Sequence, residues 1–101
     1  MSVIKLDKDN FEREINCGKT VLVDFYADWC GPCRMLSPVV DEVAEENPQY
    51  FVGKVNVDEQ GELAERFEVY SIPTLVVFRN GKEADRLTGV YPKERILEIL
   101  K

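Results

Sequence analysis

The run TVLVDFY, residues 20–26, most constrains the fold, because it is nearly continuously apolar over the length of one strand. A strand of this kind is typical of the centre of a sheet that is covered on both faces. Three further segments predict strands: SVIKL (2–6), YFVGKVNV (50–57) and TLVVF (74–78).

Helical patterns separate these strands. We predict a first helix from Lys8 to Ile15, capped by Asp7, and a long helix that ends at Asn47-Pro48. A shorter helix is predicted within 61–70, and a last one with Pro92 in its first turn.

The dipeptide Asn80-Gly81 is a strong hairpin signal and predicts a fifth strand over 82–87. The predicted order is βαβαβαββα, an α/β arrangement. Strands that alternate with helices pair in parallel, whereas the hairpin adds an antiparallel strand. The 101 residues therefore predict one domain, 1–101, with a mixed sheet between two helical layers.

Composition narrows the possible functions. A net charge of −6 argues against binding nucleic acid or anionic membranes. No segment approaches the roughly 18 apolar residues of a membrane span, and the first residues lack the apolar stretch of a signal peptide. We therefore expect a cytoplasmic protein. The chain has no histidine, which excludes hydrolases built on a Cys–His or Ser–His pair.

Two cysteines, Cys30 and Cys33, lie between the central strand and the long helix. Residues three apart in a helix have side chains roughly 5–6 Å apart, so these two can form and open a disulfide without moving the fold. A thiolate at Cys30 would be stabilised by free N–H groups and by the dipole at the helix start. We expect Cys30 to be accessible and Cys33 to be more buried.

The pair could also be a structural disulfide, half of a zinc site, or inert core residues. Disulfides are usually transient in a reducing compartment, and three cysteines fit a disulfide framework poorly. Zinc needs four ligands, and Cys17 is the only other thiol. A redox pair is the favoured interpretation. Cys17 itself is predicted to be an inert, partly buried thiol.

Two charged residues interrupt predicted strands. Asp24 should be buried; its carboxylate is either satisfied by backbone or water, or accepts a proton from the second thiol. Lys54 either offsets the charge of Asp24 or is a solvated lysine. The sequence leaves open whether the Ile72-Pro73 bond is cis, and whether Trp29 lies in the core or on a contact surface.

The segments VDFYADWCGPCR (23–34), IPTLVVF (72–78) and GVYPKERI (89–96), together with Asn80-Gly81, resemble the thioredoxin family over essentially the whole chain. The resemblance implies that family's fold, a five-stranded mixed sheet flanked by four helices. It also implies a protein-disulfide reductase that exchanges a dithiol for a disulfide and uses no cofactor or metal.

The resemblance also assigns residues. It implies that Cys30 attacks the substrate, that Cys33 resolves the mixed disulfide, and that Pro73 follows a cis bond. Asp24 matches the family's buried carboxylate and Lys54 its lysine neighbour. The implied substrate-binding residues are Trp29, Gly31, Pro32, Ile72, Pro73 and Gly89.

The implied partners are a flavoprotein thioredoxin reductase and disulfide-containing proteins, and we expect a monomer. Tyr26, Tyr70 and Ser71 depart from the commonest family pattern, and the last two bear on partner preference. Two alternatives remain. One is a disulfide oxidase or isomerase of the same fold, and the other is a non-catalytic binding or metal-carrying module.

Overall fold

The computed structural model describes residues 2–101 and contains nine elements in the predicted order. The strands and helices alternate until the final hairpin and helix. Their bounds are β1 Val3–Lys5, α1 Phe11–Ile15, β2 Val21–Tyr26, α2 Gly31–Glu46, β3 Phe51–Asn56, α3 Gly61–Arg66, β4 Thr74–Arg79, β5 Lys82–Thr88 and α4 Lys93–Leu100.

The five strands form one mixed sheet in the order β1-β3-β2-β4-β5. Strands β1 and β2 both pair in parallel with β3, whereas β4 is antiparallel to β2 and to β5. The apolar run of β2 lies at the centre, as predicted, and the fold class is confirmed.

The sheet separates two apolar clusters, one on each face. Leu22 packs with residues of α2 and α4, including Leu36 and Ile96. Val23 points to the opposite face, where residues of α1 and α3 cover the sheet. Alternation along β2 therefore places Asp24 on the face that α2 covers.

Two helix starts differ from the sequence prediction. Helix α1 begins at Phe11 rather than Lys8, because the Asp7 side chain accepts the backbone N–H groups of Asp9 and Asn10 in a separate turn. Pro92 is the N-cap of α4, with extended backbone, rather than a residue of its first turn.

Cys17 is exposed, so its predicted partial burial is wrong. Helix α1 ends at Ile15, and Cys17 falls in the turn that follows it. Because this turn leaves the core, the cysteine side chain has no apolar layer to enter.

The hairpin between β4 and β5 forms at Asn80-Gly81, as predicted. Both residues have positive φ, 54° and 77°. This is the backbone that a two-residue type I′ turn requires, and glycine adopts it without steric cost. A Cβ atom at Gly81 would also collide with the Asn16 side chain.

We therefore expect Gly81→Ala to lower the free energy of unfolding by about 1–2 kcal/mol. Gly61→Ala is the matched control, because a Cβ there meets nothing within 4 Å and Gly61 opens a helix. Denaturant unfolding of both variants provides the test. Equal effects of the two substitutions would contradict this account of the turn.

Candidate active site

A disulfide joins Cys30 and Cys33, with their Cα atoms 5.2 Å apart. Cys30 is the N-cap of α2, and its Sγ accepts the backbone N–H of Cys33 at 3.2 Å. Pro32 lies in the first turn, where the absence of its N–H costs no hydrogen bond. The predicted placement of one sulfur at the helix start is confirmed.

Both cysteines are buried in this bridged state, with relative exposures of 4% for Cys30 and 3% for Cys33. The prediction that Cys30 is clearly the more accessible one is therefore wrong for the disulfide form. The bond holds the Cys30 sulfur against Cys33, and the same sulfur lies 3.9 Å from the carbonyl oxygen of Ile72. The adjacent residues Trp29 and Pro32 are exposed, so the pair lies directly beneath the surface.

Asp24 is buried in the sheet, with a relative exposure of 5%, as predicted. Its Oδ1 atom has no hydrogen-bond partner among residues 2–101. Burial raises the pKa of Asp24 from 3.8 to about 7; Lys54 opposes this rise, and Asp41 adds to it. A carboxyl group with this pKa can take up or release a proton near neutral pH.

Lys54 lies directly opposite Asp24 in the parallel pairing of β2 with β3. The two side chains form no ion pair; instead, the Lys54 Nζ atom lies 5.7 Å from the centre of the Tyr26 ring. Lys54 thus acts on Asp24 through the field of its charge and leaves the carboxylate without a direct partner.

A cavity of about 210 Å³ joins these groups to the disulfide. Asp24, Lys54 and Cys33 all line it, so one polar space connects the buried carboxyl group with the second thiol. Its remaining lining residues are Tyr26, Ala27, Asp28, Arg34 and Ser37.

On the other side of the disulfide, the Ile72–Pro73 peptide bond is cis, as the resemblance implied. The carbonyl of Pro73 accepts the N–H of Gly89 at 2.9 Å, which joins these two predicted residues. Ile72 is half-buried, and among residues 2–101 its main chain makes no backbone hydrogen bond. Its N–H group thus lacks a backbone partner, and its C=O group lies against the Cys30 sulfur.

Trp29 is 68% exposed, so it lies on the surface and not in the core. Its indole Nε1 donates to Asp58 at 2.8 Å, a contact that the sequence prediction missed. The sequence carries a signal for this contact, because Trp29 and Asp58 follow the carboxyl ends of β2 and β3, which meet at one edge of the sheet. Gly31 is half-buried beside them.

No group of three or more His, Cys, Asp or Glu residues within 2–101 is arranged to hold a metal ion. In the same range, none of the helices is long and apolar enough to cross a membrane. A disulfide at a helix start, beside a buried carboxyl group of raised pKa, defines a thiol–disulfide exchange site.

Comparison with known proteins agrees. The family model described as Thioredoxin matches residues 2–101. A thioredoxin of Chlamydia pneumoniae is 45% identical, covering 94% of this chain and 92% of its own, and one of Staphylococcus haemolyticus is 44% identical over 99% and 96%. A solved mutant thioredoxin from Halobacterium salinarum superposes with a TM-score of 0.93 at 34% identity, covering 98% of this chain and 88% of its own.

The chain therefore belongs to the thioredoxin family. It is a thiol–disulfide oxidoreductase that reduces protein disulfides, and Cys30 and Cys33 form its redox-active pair. Membership implies two kinds of partner, a reductase and disulfide substrates.

The pKa of Asp24 predicts a pH-dependent stability. The folded state holds the Asp24 proton more tightly than the unfolded chain does, so protonated Asp24 stabilises the fold. This contribution to the free energy of unfolding is complete below about pH 4 and is lost as the pH rises to about 7. Asp24→Asn removes this titration. We expect the variant to gain on the order of 3–4 kcal/mol over the parent protein between pH 4 and pH 8.

Denaturant unfolding of the oxidised proteins at several pH values measures this difference, since neither bridged cysteine titrates. The two proteins should be of similar stability near pH 4. Stability curves that stay parallel up to pH 8 would contradict the raised pKa.

Proposed function

We propose that Cys30 is the attacking thiol and Cys33 the resolving thiol of the disulfide reductase. The supporting observation is that the Cys30 sulfur accepts a backbone N–H from the first turn of α2. An N–H that already points at this sulfur favours its thiolate, which is the nucleophile. Among residues 2–101, the sulfur of Cys33, inside the helix, accepts no comparable bond.

The exchange proceeds in two thiol–disulfide exchange steps. The Cys30 thiolate attacks one sulfur of the substrate disulfide, a Cys30–substrate bond forms, and the other substrate sulfur leaves as a thiolate. The Cys33 thiolate then attacks the Cys30 sulfur, forms the Cys30–Cys33 bond and releases the second substrate thiolate. Two electrons pass from the protein to the substrate.

Asp24 accepts the proton that Cys33 loses. The shared cavity supports this role, because it lets a water molecule connect the Asp24 carboxyl group to the Cys33 sulfur. Lys54 moderates the base, since its charge favours the ionised carboxylate. A lysine in direct ion-pair contact would make Asp24 a much weaker base.

The substrate docks across the exposed edge next to the disulfide. The main chain of Ile72 makes no backbone hydrogen bond within residues 2–101 and, followed by Pro73, can bind an extended substrate segment as an added strand. The proposed docking surface consists of the exposed Trp29 and Pro32, the half-buried Gly31, Ile72 and Gly89, and the buried Pro73.

A flavoprotein thioredoxin reductase then returns two electrons to the Cys30–Cys33 disulfide by the reverse exchange. A dithiol that must stay reduced suits a reducing compartment, which supports a cytoplasmic location. We propose that residues 1–101 act as a single domain and as a monomer.

Insulin reduction tests the assignment of the two cysteines. With NADPH and a thioredoxin reductase, Cys30→Ser should abolish turnover, because no nucleophile remains at the helix start. Cys33→Ser should accumulate a mixed disulfide at Cys30, detectable by mass spectrometry. Cys17→Ser is the matched control and should keep full activity, since Cys17 is exposed on another loop.

Full activity of either active-site variant would contradict the role assigned to it. Mixed disulfides that form on Cys33 in the Cys30→Ser variant, with undiminished rate, would reverse the order of attack.

A further inference from the structure

On its side toward β1, the edge strand of the sheet, helix α2 carries a row of residues with polar side chains. Cys33, Ser37, Asp41 and Glu45 follow one another at intervals of four residues, which places them along one ridge of the helix. Asp41 lies about 6 Å along the helix axis beyond Ser37. The row leads from the disulfide toward solvent.

A second cavity, of about 380 Å³, follows the outer part of this row. Ser37 and Lys54 line both this cavity and the inner one that holds Asp24 and Cys33. The outer cavity is completed by Asp41 and Glu45 on α2, by Val3 at the start of β1 and by the preceding Ser2. Lys54 therefore borders both the inner cavity, which Asp24 lines, and the outer cavity, which Asp41 lines.

Neither acid binds Lys54 in an ion pair. Among residues 2–101, Asp41 forms no other ion pair, whereas its neighbours Glu42 and Glu46 both bind Lys93. The negative charge of Asp41 is thus left to act across the cavities.

We propose that Asp41 is a positioning residue for the proton transfer: by sharing Lys54 with Asp24, it makes the buried carboxylate a stronger base toward Cys33. This inference rests on the role of Asp24 proposed above. It gives Asp41, an exposed residue of α2 that is far from the disulfide, a part in the proton transfer.

The direction follows from two effects that agree in sign. Asp41 repels a negative charge on Asp24, and it competes for Lys54, the cation that opposes Asp24 in the sheet and stabilises that charge. Both raise the proton affinity of Asp24, in line with the direction in which Asp41 moves its pKa. The other titratable or charged groups that line the inner cavity are Lys54, Tyr26, Asp28, Arg34 and Cys33.

The test is an NMR titration of the Asp24 carboxyl carbon in the oxidised protein, with Asp24→Asn to assign the signal. Asp41→Asn should lower the titration midpoint by roughly half a pH unit, as expected for one charge acting through a polar space. Glu45→Gln is the matched control, with the same charge removed one turn farther along the same row. It should move the midpoint by less than half as much.

An unchanged midpoint in Asp41→Asn, or an equal shift in Glu45→Gln, would overturn the proposal. In a Lys54→Met background, Asp41→Asn should produce a smaller shift than in the parent protein. An undiminished shift there would remove Lys54 from the coupling and overturn the sharing.

The pH profile of the resolving step, followed by rapid mixing of the reduced protein with a model disulfide, separates this inference from the proposed function. The rate midpoint should fall with the carboxyl midpoint in Asp41→Asn. A carboxyl midpoint that falls while the rate profile stays fixed would support the coupling of Asp41 to Asp24 and refute Asp24 as the proton acceptor.

Discussion

The contact on which the rest of the site depends is the hydrogen bond from the Cys33 backbone N–H to the Cys30 sulfur. It exists because α2 starts immediately after Cys30, and the first N–H groups of a helix have no partners within the helix. Strand β2, central in the sheet, fixes where that helix starts. The fold thus aims a backbone donor at one sulfur, in a chain that has no histidine.

The second constraint is a carboxyl group buried where its charged form is disfavoured. Asp24 lies beneath α2, and Lys54 opposes it in the sheet without contacting it. A direct ion pair would satisfy the carboxylate and weaken it as a base. The chain instead keeps a titratable group beside Cys33, with the loss of stability at neutral pH that such burial entails.

Much of this arrangement could be predicted from the sequence. The nearly continuous apolar run of β2 predicted a central strand with Asp24 buried in it, and the Asn80-Gly81 hairpin predicted the antiparallel side of the sheet. Contacts between distant segments were harder to predict. The bond from Trp29 to Asp58 depends on two loops meeting at one sheet edge, and the low exposure of Cys30 depends on Ile72, which follows 42 residues later. The position of the Lys54 ammonium depends on the Tyr26 ring.

The most direct test is the pH dependence of alkylation at Cys30 in the reduced protein, followed by mass spectrometry with Cys17 as an internal reference. Cys17 is exposed and lies outside any helix. If the helix start holds the Cys30 sulfur as an anion, Cys30 will react rapidly well below pH 8.5, where an ordinary thiol is mostly protonated. Alkylation of Cys30 and Cys17 with the same pH midpoint would contradict this account.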